Sequence, residues 1–120
     1  MTDMEMVRLA AEAMGYDVDD EDAERGLWCH LPAQHGVWYR PLHDKAQAFE
    51  LVERFWIQIQ SWGPPVSKFR ASIPQLYGKD RRGNWSESVD DVEVDSKDIS
   101  RAIVECVAKM TQTARGRVRR

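Results

Sequence analysis

Apolar residues recur along this chain with two alternating periods, and the alternation restricts the fold class. Apolar positions spaced three or four apart are typical of amphipathic helices, whereas strict alternation is typical of half-buried strands. In chain order the segments read helix, strand, strand, helix, strand, strand, helix. The chain has 120 residues, enough for one domain with its own core. We therefore predict an α+β fold, with three helices layered on a small antiparallel sheet of about four strands.

Two of the helical segments begin with a capping-box sequence. Thr2 stands three positions before Glu5, and Asp44 stands three positions before Gln47. Gly15 follows the first helical segment, where a residue able to take the left-handed conformation is needed to end a helix. The sequence therefore fixes the start of two helices and the end of the first.

The remaining helix boundaries follow from other signals. No turn residue separates VERF from WIQIQ, and the first stop signal after them is Gly63-Pro64-Pro65. The second helix is therefore predicted to continue to about Ser61, although WIQIQ also alternates like a strand. The third helix is expected to start from a cap at Asp95 or Ser96. The apolar stripe of the second helix is predicted at Phe49, Val52, Phe55 or Trp56, and Ile59. That of the third is predicted at Ile99, Ala102, Ile103, Cys106, Val107 and Met110.

The strand segments are separated by turn-forming or highly charged sequences. GLWCHL and GVWYR are predicted to form a hairpin, with Leu27 and Cys29 on one face and Trp28 and His30 on the other. VSKFRASI is the predicted third strand, and a long hairpin tip leads to a fourth near Trp85. The segment 17–24 contains six acidic residues, whose mutual repulsion predicts a solvated loop with at most a short strand at its start.

Charge is distributed unevenly along the chain. Its last six residues hold four of the 17 basic residues and no acid, which leaves 13 basic against 20 acidic residues in the rest. We therefore divide the chain into a single α+β domain, 1–112, and a basic, disordered tail, 113–120. The N-terminus is acidic, and no apolar run approaches the roughly 20 residues of a membrane helix. A cytoplasmic protein without membrane contact is expected, with its two cysteines reduced and buried.

Three segments resemble one known family, the phage ABA sandwich domain proteins. VRLAAEAMGYDV is similar to the family's opening helix, which ends in a Met-Gly-aromatic step. YRPLHDKAQAFELVERF resembles its proline turn, aspartate cap and following helix, and VEVDSKDISRAIVECVAKM resembles its last capped helix. The resemblance implies an alpha-beta-alpha layered fold, a phage or prophage origin, and no established activity or catalytic residues. The acidic segment, the hairpin tip, the longer second helix and the arginine tail depart from the family pattern.

No motif in the sequence specifies an enzyme. Cys29, His30, His35 and His43 are zinc-type ligands, but Cys29 and His30 are adjacent on a strand and therefore point to opposite faces. A catalytic set with His43 as base, Asp44 as its orienting carboxylate and Cys29 as nucleophile is disfavoured. Asp44 is already used as a helix cap, and Cys29 belongs to the predicted core face. A glycine-rich phosphate loop and a nucleophile elbow are both absent from the sequence. We therefore predict no catalytic residue, no metal and no cofactor.

Two binding functions remain, and they use surfaces of opposite charge. The first is binding of a host or phage protein by the acidic segment together with an exposed tryptophan beside the Gly-Pro-Pro corner. Its residues are Asp19, Asp20, Glu21, Asp22 and Trp62. The alternative is nucleic-acid binding by a basic strand and hairpin, helped by the arginine tail. Its residues are Lys68, Arg70, Lys79, Arg81 and Arg82.

We expect a small phage or prophage accessory protein in the host cytoplasm, acting by protein binding as a modulator of host machinery or defence. The sequence specifies neither the partner nor the oligomeric state.

Overall fold

The computed structural model describes residues 1–30, 36–73, 77–79, 85–87 and 92–118, with only the backbone for 77–79, 85–87 and 114–118. The helices are α1 (Asp3–Ala13), α2 (Lys45–Phe55) and α3 (Ile99–Val118). The strands are β1 (Asp17–Asp22), β2 (Gly26–His30), β3 (Gly36–Tyr39), β4 (Gln58–Trp62), β5 (Lys68–Ile73), β6 (Tyr77–Lys79), β7 (Trp85–Glu87) and β8 (Val92–Ser96).

The fold is α+β with antiparallel strand pairing, as the alternating periods predict. Where we expected one sheet of about four strands, the described strands form two three-stranded sheets, ordered β1-β2-β3 and β4-β5-β8, and a β6-β7 pair. The predicted β2-β3 hairpin pairing is confirmed, with Trp28 opposite Trp38. The number of strands differs because segments that we assigned to a loop, a helix end, a hairpin tip and a helix cap are β1, β4, β6 and β8.

Helix α3 lies at the centre of the core. It packs against α1, α2 and the sheet strands β5 and β8. Its predicted apolar face is confirmed, since the side chains along its middle are almost fully removed from solvent. These are Ala102, Ile103, Val104, Cys106, Val107 and Ala108. The helix continues to Val118, through most of the segment that we expected to be a separate tail, and residues 119 and 120 lie outside the described part of the chain.

Both N-caps predicted from capping-box sequences are present. The Glu5 amide donates to Thr2 Oγ1 at 3.1 Å, and the Ala46 amide donates to Asp44 Oδ1 at 2.9 Å. Gln47 bonds to the preceding strand: its Oε1 accepts from the Arg40 amide at 2.6 Å, and its Nε2 donates to the Trp38 carbonyl at 2.9 Å. These two bonds fix the start of α2 against the end of β3.

The prediction that the second helix continues to Ser61 is wrong. Helix α2 ends at Phe55, Trp56 takes a left-handed conformation with φ 54°, and the chain enters β4 two residues later. The inward face is also different, because Ala48 and Leu51 are buried whereas the Phe49 side chain is exposed. Pairing of β4 with β5 favours the strand period of WIQIQ over the helix propensity of the sequence before it.

Two further sequence expectations are corrected. Most of the acidic segment is not a loop but the edge strand β1, which tolerates its charges because four of its five acidic residues are exposed to solvent. Helix α3 is capped neither by Asp95 nor by Ser96 but by Asp98, whose Oδ1 accepts from the Ser100 amide at 2.9 Å. Asp95 lies in β8 instead, where it pairs with β5.

No helix in the described part of the chain combines the length and apolar character that a transmembrane span requires.

Candidate protein-interaction surface

The outer face of the β1-β2-β3 sheet brings tryptophans and carboxylates together. Residues directly opposite each other in antiparallel strands project to the same face. Asp20 pairs with Trp28, which pairs with Trp38, while Asp17 pairs with His30. The sheet also has a bulge between Val18 and Asp20. We call this surface the acidic-tryptophan face and define it by Asp17, Asp19, Asp20, Trp28, His30 and Trp38.

The two tryptophans form an edge-to-face pair at the centre of this face. Their ring centroids lie 5.2 Å apart with an interplanar angle of 61°. Both are half-buried, whereas Leu27 and Cys29, on the opposite face of the same strand, are fully buried. The Arg25 guanidinium carbon lies 5.7 Å from the Trp38 ring centroid, a cation–π arrangement. The face therefore already accommodates one guanidinium on its aromatic surface.

The carboxylates of β1 divide into two groups. Asp17 and Asp20 are exposed and form no ion pair with any residue that the structure describes, and Asp19 contacts His30 Nε2 on the same side of the sheet. The Glu21 carboxylate instead contacts Arg8 on α1. The four predicted acidic residues, 19–22, thus do not act as one cluster.

Asp22 has a structural part in the turn after β1. Its Oδ1 accepts from the Glu24 amide at 2.8 Å and from the Arg25 amide at 3.0 Å. These hydrogen bonds lower the pKa of the Asp22 carboxyl, and the bond from the Arg25 amide has the larger effect. Asp22 therefore shapes the turn that brings Arg25 over Trp38.

Trp62, predicted as an exposed contact residue, lies elsewhere. It is half-buried at the end of β4, in the other three-stranded sheet, with Lys68 Nζ 4.9 Å and Arg70 Cζ 5.1 Å from its ring centroid. Among the tryptophans whose side chains the structure describes, the strongly exposed one is Trp56, at 82%. An exposed tryptophan was predicted at the Gly-Pro-Pro turn. The exposed tryptophan, Trp56, lies instead at the end of α2.

The basic residues of the nucleic-acid alternative are partly neutralised. Arg70 Nε donates to Asp95 Oδ1 at 2.7 Å, and Lys68 Nζ donates to Asp95 Oδ2 at 3.0 Å. These hydrogen bonds lower the pKa of the Asp95 carboxyl, and the bond from Arg70 has a larger effect than the bond from Lys68. Lys79 is described only by its backbone in β6, and residues 81 and 82 lie outside the described ranges. The two described cations therefore offer little free charge to a phosphate backbone.

The residues considered for catalysis or metal binding are dispersed. Burial raises the pKa of the Cys29 thiol to about 11 and that of the Cys106 thiol to about 12, which keeps both protonated at neutral pH. His43 lines a small cavity of about 110 Å³ with Asp3, Glu24 and Arg40 among its neighbours. His30 is on the acidic-tryptophan face, and residue 35 is not described. Within the described ranges, no three His, Cys, Asp or Glu side chains come together as metal ligands would.

Sequence reasoning missed the two tryptophans and Asp17 as members of the site. The alternation of β2 places Trp28 opposite to Leu27 and Cys29, which was the available signal. The sequence did not predict that the acidic segment forms a strand. Only the β1-β2 pairing puts Asp17 and Asp20 beside His30 and Trp28.

Comparison with known proteins identifies no relative: no family model matches the chain, and no curated protein matches it. The phage ABA sandwich resemblance therefore stays a hypothesis, and the function is argued from the acidic-tryptophan face.

Proposed function

We propose that this chain is a small phage or prophage accessory protein that acts in the host cytoplasm by binding a basic segment of another protein. The observation that carries the proposal is the acidic-tryptophan face, where Asp20 lies opposite Trp28 of the half-buried Trp28–Trp38 pair and Asp17 lies opposite His30. The family resemblance supports the phage origin, the alpha-beta-alpha layering and a role as modulator of host machinery or defence.

The chemistry of the face favours arginine or lysine on the partner. Tryptophan rings attract cations through their negative faces, and Arg25 already occupies such a position over Trp38. A second cation would meet the carboxylates of Asp17 and Asp20, which have no ion pair among the described residues. Tryptophan and arginine also dominate the energetics of protein interfaces. Charge complementarity of this kind raises the association rate and selects against acidic partners.

Nucleic-acid binding is the competing proposal. The stack of Lys68 and Arg70 on Trp62 combines cations with an aromatic ring. Proteins use this combination to bind single-stranded nucleic acids. Asp95 counters it, since its carboxylate accepts from both cations. An acidic body would also repel the phosphate backbone, so protein binding is the better supported of the two.

A pull-down from host lysate separates the two proposals. The tagged chain is incubated with lysate that has or has not been treated with nuclease, and bound proteins are identified by mass spectrometry. The protein-binding proposal expects a discrete partner with a basic segment, recovered equally after nuclease treatment. Recovery that disappears with nuclease would transfer the function to the basic strand and hairpin.

A further inference from the structure

We propose that the chain forms a homodimer by antiparallel pairing of β4 with β4 of a second copy. In the sheet ordered β4-β5-β8, β5 occupies one edge of β4, and no described strand occupies the other. The N–H and C=O groups of an open edge are a template for pairing with another strand. The pairing would join two three-stranded sheets into one continuous sheet.

The free edge of β4 lacks the usual protection against pairing. The stretch 56–62 reads WIQIQSW and contains no charged residue and no proline. Its pairing with β5 runs through five consecutive positions without a bulge. The edge strand β1 is the opposite case, because it carries five acidic residues and a bulge. The same chain therefore blocks one sheet edge with charge and leaves another open, which indicates that the open edge is covered.

The sequence of this stretch is close to a palindrome, and this identifies a second copy as the occupant. In an antiparallel pairing centred on Ile59, Gln58 lies opposite Gln60 of the other chain, and Trp56, two residues before β4, falls near its Trp62. Facing glutamines can exchange amide hydrogen bonds because each has donors and an acceptor. A two-fold axis makes every such pair occur twice.

The exposed Trp56 gives a second reason to expect a partner. Its left-handed backbone turns the side chain away from the core at the end of α2, and 82% of its surface is accessible. A groove beside it is lined by Val52, Glu53, Trp56, Ile57 and Gln58. In the pairing centred on Ile59, the end of the second copy's strand falls next to this groove. Dimerisation would therefore remove the most exposed large apolar side chain of the described chain from water.

Charge substitution at the exposed Gln58 and Gln60 tests the dimer directly. The wild-type chain is expected to show a concentration-dependent rise toward twice its mass in sedimentation equilibrium. Both Q58K/Q60K and Q58E/Q60E are expected to stay monomeric, with the dissociation constant raised at least about tenfold, because like charges face each other across the two-fold axis. An equimolar mixture of the two variants should recover the dimer.

A third variant reports the register. In the pairing centred on Ile59, Q58K/Q60E places each lysine opposite a glutamate, so it should dimerise at least as tightly as the wild type. Circular dichroism of each variant checks that the monomer is folded. A wild type that keeps the mass of a single chain up to near-millimolar concentration would overturn the proposal. So would folded Q58K/Q60K and Q58E/Q60E variants that dimerise like the wild type.

Discussion

The indole ring of Trp28 lies directly over the backbone of Gly36 on the neighbouring strand. A Cβ atom placed at Gly36 would be 2.3 Å from Trp28 Cζ2 and 2.6 Å from Cε2, far closer than van der Waals contact allows. The absent side chain thus makes room for the ring that forms the centre of the acidic-tryptophan face. Gly36, the first residue of β3, is therefore part of the aromatic packing.

Replacing Gly36 with alanine should therefore destabilise the protein and shift Trp28. The ring has to move to admit the methyl group, and the expected cost is about 1–3 kcal/mol of unfolding free energy. Chemical denaturation measures the loss, and near-UV circular dichroism reports the changed tryptophan pair. Gly63→Ala is the matched control, because nothing lies within 4 Å of a Cβ at Gly63. An equal effect of the two substitutions would contradict the packing described for Trp28.

Removing the cap of α2 should also be measurable. Asp44 accepts from the amides of Ala46 and Gln47, so Asp44→Ala is expected to lower the unfolding free energy by about 1 kcal/mol. Asp44→Asn keeps an acceptor at the same place and should lose much less. Urea denaturation of the two variants beside the wild type gives both values. If alanine and asparagine behave alike, the carboxylate is not acting as a cap.

Asp95 should contribute to the acid sensitivity of the fold. Hydrogen bonds from Arg70 and then Lys68 lower the pKa of its carboxyl below the ordinary 3.8. In the unfolded chain the group binds a proton as soon as pH falls through 3.8, whereas the folded state resists protonation. The stabilisation is therefore complete above that pH and is lost as pH falls below it.

Asp95→Asn should accordingly show a smaller loss of stability on acidification. Denaturation curves collected from neutral pH down to about pH 2 give the unfolding free energy at each pH. Asp17→Asn is a suitable control, because it removes the same charge from an aspartate with no ion pair among the described residues. Parallel pH profiles for Asp95→Asn and the wild type would show that the Arg70–Asp95–Lys68 contact does not form in solution.

The two cysteines should be inert in the folded protein. Burial raises the pKa of Cys29 to about 11 and of Cys106 to about 12, so the reactive thiolate is scarce at mildly alkaline pH. A chromogenic thiol reagent should label neither residue in buffer and both in denaturant. Rapid labelling of Cys29 in the native state would instead reopen the interpretation of that residue as a nucleophile.

The sequence predicts those elements whose signals are local. The caps at Thr2 and Asp44, the left-handed Gly15 and the alternation of β2 are all confirmed, because each depends on a few neighbouring residues. The apolar face of α3 is predictable for the same reason. These features are sufficient for the fold class and for most of the core.

The errors occur where pairing between distant segments decides the structure. WIQIQ satisfies a helix and a strand pattern, and only its contact with β5 selects the strand. The charge of the acidic segment predicts a loop, but the segment forms a strand because β2 provides a partner whose outer face is open to solvent. The candidate site could not be predicted for the same reason. Asp17, Asp20 and the two tryptophans come from three strands, and only the register of the strand pairing brings them together.

The most direct test of the proposed function compares two double variants of the same strand. Asp17→Asn/Asp20→Asn removes carboxylates on the acidic-tryptophan face, whereas Glu21→Gln/Asp22→Asn removes equal charge from residues that contact Arg8 and the following turn. The affinity of each variant for the captured partner is measured by titration calorimetry. The account predicts at least about tenfold weaker binding, or 1.4 kcal/mol, for the first variant and a clearly smaller loss for the second. Equal affinities of the first variant and the wild type would contradict it.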